Sequence, residues 1–345
     1  MRLRLRRGVV VSADPLLVEV GGERRPAWAD TALLGEMREG DEVVVNVAAL
    51  DLELGSGGFD VVHVNLTRGL QGEGEGSEHV MKLNYSPLQH SVEPVEAPIE
   101  TPPTDGASTP GGRSQEPLAV LVLPLHGHLP AAAWAAARAS PGARVGYVQS
   151  PGGALPGSLS RDVAVLRERG LLCGHITAGA CYGGEHEAIS VAGALDAAPG
   201  LGWDAALVGP GPGIIGSETR LGHGGIAALD GAHAALSLGL PTLLSPRLSS
   251  ADPRERHRPV SHHTLTVMRM LLGPVQVPVP AGEPVPIALL AEACGWRHRL
   301  YEVSPDLEGF AASGLPAQVM GRGIEQDRLF FAAPLAAGAA LRGKG

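Results

Sequence analysis

Lysine is nearly missing from this chain: of 27 basic residues only Lys82 and Lys344 are lysines, and 36 acidic residues bring the net charge to −9. Aromatic residues are scarce too, at 3%. A protein that holds nucleic acid normally carries a basic surplus and stacking aromatics, so nucleic acid is not an expected partner. The three cysteines, Cys173, Cys181 and Cys294, show no CxxC spacing. They exclude a disulfide framework and fit a reducing, cytoplasmic location. Nowhere does the chain approach the roughly 18 uncharged apolar residues of a membrane span. The opening MRLRLRRGVVV is cut short by Asp14 and Pro15 before a signal-peptide core can form. The expectation is a soluble protein with no membrane partner.

What is abundant is small and aliphatic. Apolar residues make up 44% of the chain, which suits Val-rich strands covered by Ala- and Leu-rich helices. Within residues 1–92, the runs GVVVSA, LLVEV, EVVVNV and FDVVHVNL alternate with the turn sequences GGE, REGD and GSGG. This pattern predicts a small all-β domain, a barrel or a sandwich. Residues 93–117 are rich in Pro, Gly, Ser and Thr and read as a linker.

From 118 to 345 apolar strands such as LAVLVLPLH, ARVGYV, LLCGHITA, DAALVG, PTLLSP and RHRLYEV alternate with helical stretches. That rhythm predicts an α/β domain with an open, doubly wound, mostly parallel sheet of about six strands. EHEAISVAGALDAA (185–198) reads as one of the helices. The Ala- and Gly-rich helices leave a homodimer open.

In such a sheet, ligands bind beyond the carboxyl ends of the strands. The loops there are long and rich in Gly or His, whereas returns such as ERG and LGLP are short. Loops 150–158, 177–187, 209–225 and 245–264 are therefore expected to surround one pocket. Gly152, Gly153 and Ser158 precede a helix and offer backbone N–H groups to an anion. Gly183 and Gly184 introduce Glu185 and Glu187, which are either first-turn acids that favour the helix dipole or a general base or ligand.

Gly211, Gly213 and Gly216 form a GxGxxG, but it follows the fourth strand of the domain and the helix after it is delayed. No acid ends a strand about twenty residues on, so a standard Rossmann dehydrogenase is not expected. A Gly-rich turn that lets a ligand or neighbour approach is the better reading. Ser217 and Thr219 would then contact an anion.

SADPRERHRPVSHHT (250–264) supplies His257, with His262 and His263 behind the N-cap candidate Ser261. Together with Arg247, Arg254 and Arg256, it offers planar forks for carboxylate or phosphate. Neighbours on a helix diverge by about 100°, and no strong zinc spacing such as HExxH occurs. His126, His128 and His223 could supply further ligands from other loops. Whether a metal or another cofactor is used stays open at this stage. Cys181, beside a Gly-rich turn, is an alternative nucleophile.

The segments HVMKLNYSPLQ (79–89), QSPGGALPGSLS (149–160), TAGACYGGEHEAIS (177–190), GPGPGIIGSETRLGHGG (209–225) and PRLSSADPRERHRPVSHHTLTV (246–267) resemble the bacterial family DUF3866 over nearly the whole chain. In that family's third loop, GGD-L-E-A, Glu185 takes the Asp position and His186 an apolar one. The resemblance implies no particular chemistry.

The functional expectation is an enzyme acting on a small anionic substrate, with His257, His262, His263, Glu185 or Glu187 as acid/base groups and arginines as a clamp. Hydrolase, transferase and lyase chemistry all fit. A serine hydrolase or a P-loop NTPase does not, because GxSxG and GKS/GKT are missing. The alternative is a noncatalytic sensor that binds a metabolite or nucleotide. One histidine of the three is expected within about 8 Å of Glu185 or Glu187, so that one small substrate touches both. The cluster Lys82, Asn84, Tyr85 and Gln89 is expected to return toward the rim.

Overall fold

The computed structural model describes residues 2–53, 57–70, 78–96 and 117–341. The chain forms two compact units, Met1–His79 and Val80–Gly345. The Pro-rich stretch read as a linker falls largely outside the described residues.

The first unit is a closed barrel. Its strands are β1 (Leu5–Ala13), β2 (Leu16–Val20), β3 (Glu23–Trp28), β4 (Glu42–Asn46) and β5 (Asp60–Asn65), in the order β1-β2-β3-β5-β4. Pairing of β1 with β4 closes the ring, and closure removes the exposed edges that short strands would otherwise leave. Two one-turn helices, α1 (Thr31–Leu34) and α2 (Ala48–Asp51), join the strands. Alternation puts Val10, Val18, Val43, Val45 and Val62 into its core.

The second unit starts with a hairpin, β6 (Val80–Lys82) and β7 (His90–Val92). It continues as an α/β sandwich with eight parallel strands among the described residues: β8 (Ala119–Val122), β9 (Val145–Ser150), β10 (His175–Ala178), β11 (His186–Ala188), β12 (Ala205–Pro210), β13 (Thr242–Leu244), β14 (Gln276–Pro280) and β15 (Arg299–Val303). Their order is β11-β10-β9-β12-β8-β13-β14-β15.

The helices α3 (Leu129–Ala139), α4 (Arg161–Glu168), α9 (Leu307–Ala312) and α10 (Arg328–Ala340) bury their apolar sides in one core with Leu121, Tyr147 and Leu207. The helices α5 (Val191–Ala197), α6 (Ala227–Ser237), α7 (His262–Met270) and α8 (Ile287–Cys294) share the other with Val122, Val148 and Val208. Connections running outward from β8 through β9 to β10 carry α3 and α4, and those running back from β11 to β15 carry α5 to α8. Keeping one crossover hand while reversing direction puts the two sets of helices on opposite faces. The doubly wound α/β architecture expected from the sequence is present. No helix of the described residues is long and apolar enough to cross a membrane.

Two strands go beyond the expected six. Residues 185–198 are not one helix: the turn at Gly183 (φ 73°) lets His186–Ala188 pair in parallel with Ile176–Ala178 as β11. Helix α5 begins only after Ser190, whose side chain accepts the Gly193 N–H. Glu185 and Glu187 are therefore not first-turn acids. Strand β14 is Gln-Val-Pro-Val-Pro, a sequence that argues against a strand. Ala281 N–H donates to Val303 of β15, so odd-numbered N–H groups face β15. Pro278 and Pro280 lack theirs toward β13, where pairing is confined to Leu243 and Gln276.

Candidate functional site

The switch in winding direction lies around β12, β8 and β13, and the loops leaving β12 and β13 meet there. Four histidines converge: His223 from the first loop, and His257, His262 and His263 from the second. His223 and His263 are stacked, with ring centroids 3.6 Å apart and planes 9° off parallel. The His262 ring lies 4.4 Å from that of His263, 5.2 Å from His223 and 5.3 Å from His257. The expected divergence of consecutive helical residues does not separate His262 from His263, because both sit at the first turn of α7 and fold over its cap. Ser261 is that cap: its Oγ accepts the His263 N–H and lies 2.8 Å from His257 Nδ1.

The hydrogen bonds fix which ring nitrogens carry lone pairs. The carbonyl of Arg220 can only accept, so His223 Nε2, 3.0 Å away, is protonated. His223 Nδ1 is then a bare acceptor, buried and without a partner; His262 Nε2 is likewise buried without a partner. Arg247 Nη1 donates to His263 Nδ1 at 3.3 Å. Burial is the leading cause that holds all four rings neutral. It pushes His257 down to about 3 and His263 to about 2, with help from Arg247 and, for His263, from His223. His223 and His262 are lowered in the same direction.

Behind the histidines is a buried ionic group. Asp252 receives Arg247 at 3.2 Å and Arg254 at 2.9 Å, with Arg322 at 3.6 Å. Burial opposes its charge, but the hydrogen bonds from Arg254 and the nearby Arg247 hold it well below the usual carboxylate range. Asp327 ties Arg322 (3.3 Å) to Ser249 Oγ (2.6 Å) and the Ser250 N–H. Burial lowers Arg247 to about 10, which leaves it charged at neutral pH. Three guanidinium groups against two carboxylates leave one positive charge in surplus, and the Arg247 Nε is buried with no partner. Arg322 and Asp327 escape a reading of the sequence because they lie some 70 residues from Asp252. Nothing local marks their convergence.

The other candidates fall into a second group along the same rim. Loop 177–187 pairs with loop 150–158 through Gly157 N–H to the Tyr182 carbonyl (2.7 Å), and loop 150–158 meets loop 209–225 through Ala154 N–H to the Pro212 carbonyl (2.7 Å). Glycines make this closeness possible. A Cβ at Gly153 would sit 2.1 Å from the Gly211 carbonyl oxygen, one at Gly211 2.2 Å from that of Ala154, and one at Gly152 2.6 Å from that of Gly224. These three glycines admit neighbouring backbone. At Gly184 the neighbour is Thr177, and at Gly216 it is His223, in ordinary contact; only Gly213 faces open space among them. Ser217 and Thr219 bond to each other and to Gly222. Ser158 lies in a single 3₁₀ turn before α4, whose cap is Ser160. Arg256 pairs with Glu218 at 3.1 Å.

Glu185 and Glu187 have partners of their own. Glu185 takes Arg167 (2.5 Å) and the His175 N–H. Glu187 takes Lys82 Nζ (2.6 Å), the Thr177 hydroxyl (2.9 Å) and the Gly183 N–H (2.6 Å). Lys82 also donates to the carbonyls of Thr177 and Cys181, so the hairpin does reach the carboxyl end of β10, while Tyr85 stands fully exposed. Strand β11 is three strands from β12 and five from β13, about 14 and 24 Å across the sheet. The glutamates and the histidines thus form separate groups, and no hydrogen bond or ion pair joins them among the described residues. Cys181, offered as an alternative nucleophile, is fully buried, and burial pushes its thiol up to about 12, away from the thiolate a nucleophile needs.

A shallow hollow elsewhere on this unit is lined by Ala119, Pro241, Leu243, Gln276 and Tyr301. None of the histidines or arginines above borders it.

No curated protein and no solved structure matches the chain. A family model described as "Protein of unknown function (DUF3866)" matches residues 26–338, which takes in the barrel from the middle of β3 onward and every residue of the histidine and arginine groups. The chain belongs to the DUF3866 family.

Proposed function

We propose that the protein is an enzyme that binds a small molecule carrying a phosphate or carboxylate group at the histidine–arginine cluster, and acts on it there. The observation that carries this reading is Arg247, a buried guanidinium with a partnerless Nε. An unpaired donor on a buried charge is costly to the fold. An anionic oxygen is the group that would relieve it, and the surplus positive charge of the cluster has the matching sign.

The histidines make the cluster suited to catalysis as well as binding. A neutral imidazole can take a proton from a substrate or water held beside Arg247, and the negative charge of a bound anion would offset the burial that lowers these rings. His262, half-buried and nearest to solvent, is the acid/base candidate. His263 and His257 orient it. Hydrolysis, group transfer and elimination all use these parts.

The test is calorimetric titration of the whole protein with inorganic phosphate, pyrophosphate and malonate. Arg247→Met is expected to abolish binding. Arg247→Lys is expected to weaken it, because an ammonium keeps the charge but loses the planar fork. Asp252 keeps Arg254 and Arg322 in either variant, so the fold has no new unpaired carboxylate. Equal binding by wild type and Arg247→Met would remove the reading.

A further inference from the structure

We propose that His223, His262 and His263 are the ligand set of a divalent transition-metal site of the zinc type, with a remaining position open toward Arg247. This goes beyond the anion reading and rests on the histidines alone; with a metal bound His262 is a ligand, and the acid/base role passes to His257, whose ring lies 5.3 Å from it.

One ring nitrogen from each of the three lies within 4.8 Å of the other two. Three imidazoles at about 2.0–2.1 Å from a tetrahedral metal have nitrogens roughly 3.4 Å apart, so the cluster is at most about 1.4 Å wider than a closed site. Two of the three, through His223 Nδ1 and His262 Nε2, bring buried nitrogens with no hydrogen-bond partner. His223 also has the outer contact that metal-binding histidines typically show. Its Nε2–H is donated to the Arg220 carbonyl, which fixes the tautomer that leaves Nδ1 free.

The stack of His223 on His263 defines what must move. Lone pairs lie in the ring planes, and planes 9° apart cannot point at one atom. One ring has to turn about its Cβ–Cγ bond, a soft torsion. His223 is anchored through Arg220, whereas His263 is held through one 3.3 Å contact from Arg247. His263 is therefore the ring that turns, and its turning frees an Arg247 donor toward the open position. Asp252, bonded to Arg247, reduces the repulsion of a cation, and the remaining positive surplus favours an anion as the fourth ligand.

The ligand chemistry selects the metal. Three imidazoles with no carboxylate or thiolate suit Zn2+, Co2+, Ni2+ or Cu2+, and offer little to Mg2+ or Ca2+, which take oxygen ligands. Three protein ligands with an open position is the arrangement of catalytic rather than structural zinc sites.

The experiment is titration of the chelator-treated full chain with Co2+, followed by visible absorption, and then displacement by Zn2+. One equivalent per chain is expected, with Co2+ bands that Zn2+ removes. His262→Gln and His223→Gln are each expected to weaken binding at least about tenfold, the lower end of what even an outer-shell loss costs. His79→Gln, on the barrel unit, is expected to bind as wild type. His262 is half-buried, so its variant decides the matter if His223→Gln folds poorly by circular dichroism. Arg247→Met is expected to retain Co2+ while losing phosphate, which separates the two readings. Binding of less than one equivalent by wild type, or unchanged affinity in His262→Gln, overturns the site.

Discussion

A methyl group at Gly225 would press on two imidazoles. A Cβ there would lie 2.9 Å from His263 Nδ1 and 3.1 Å from His223 Nδ1, so any larger residue fits only if the stacked rings shift. Unlike Gly152, Gly153 and Gly211, which admit backbone, Gly225 admits ring nitrogens. Gly225→Ala is expected to push both rings apart and weaken Co2+ and phosphate binding at least about tenfold, or 1.4 kcal/mol. The stability cost should stay near that of overpacking a single site, about 1–3 kcal/mol. Calorimetry and thermal melting of the same sample would check both. A variant with wild-type affinities would show that Gly225 does not set the ring positions. This residue carries no sequence signal beyond sitting next to GHG. The histidines themselves were legible because paired His among Arg is out of keeping with an Ala- and Leu-rich chain, and Ser261 was legible as a cap from its place before a helix.

At the scale of elements, the β6–β7 hairpin is pinned to the sheet through one buried ion pair. Lys82 is 3% exposed and places its ammonium on Glu187 at 2.6 Å and on the carbonyls of Thr177 and Cys181. Removing one partner of such a pair strands the other. Lys82→Met is expected to cost about 3 kcal/mol in urea unfolding, the low end for a buried pair because Thr177 and Gly183 still serve Glu187. Lys82→Met combined with Glu187→Met should recover much of that loss; strictly additive costs would deny the coupling. The same region marks where elements could be read and where they could not. Continuous apolar strands such as LAVLVLPLH are plain because burial on both faces leaves no polar position. β11 is three residues long with Glu187 at its centre, and it is a strand only because Ile176–Ala178 and Pro94 flank it. β14 is hidden by two prolines whose missing donors face its weakly paired side. Both depend on neighbours distant in sequence, which local patterns do not contain.

At the scale of the α/β unit, His126, His128 and His175 are buried as neutral residues, and this sets how the molecule answers to acid. His126 is lowered to about 4, and His128 and His175 to about 3, with burial the leading cause for each. None is exposed enough to regain a proton from solvent without opening the fold. In the unfolded chain the same side chains titrate near 6.5. Between pH 6.5 and about 4 the unfolded state therefore binds protons that the folded state refuses, so stability falls as pH falls and is fully present only above about 6.5. From pH 7 to pH 5 each such histidine costs about 2 kcal/mol, and the three together roughly 6 kcal/mol. That is comparable with the whole stability of a domain, about 5–15 kcal/mol. The carboxylates that ion pairs hold low, Asp41 and Asp252, remain charged throughout this window and do not compensate. The expected outcome is a steep drop in the urea midpoint between pH 7 and 5. In His175→Gln, which keeps an amide within reach of Gln149, the slope should fall by one proton's share, a modest fraction, because His223, His257, His262, His263 and His298 are lowered by burial as well. A midpoint that stays level down to pH 5 would mean that the buried histidines take up protons in place, and the neutral cluster at the rim would have to be reconsidered with them.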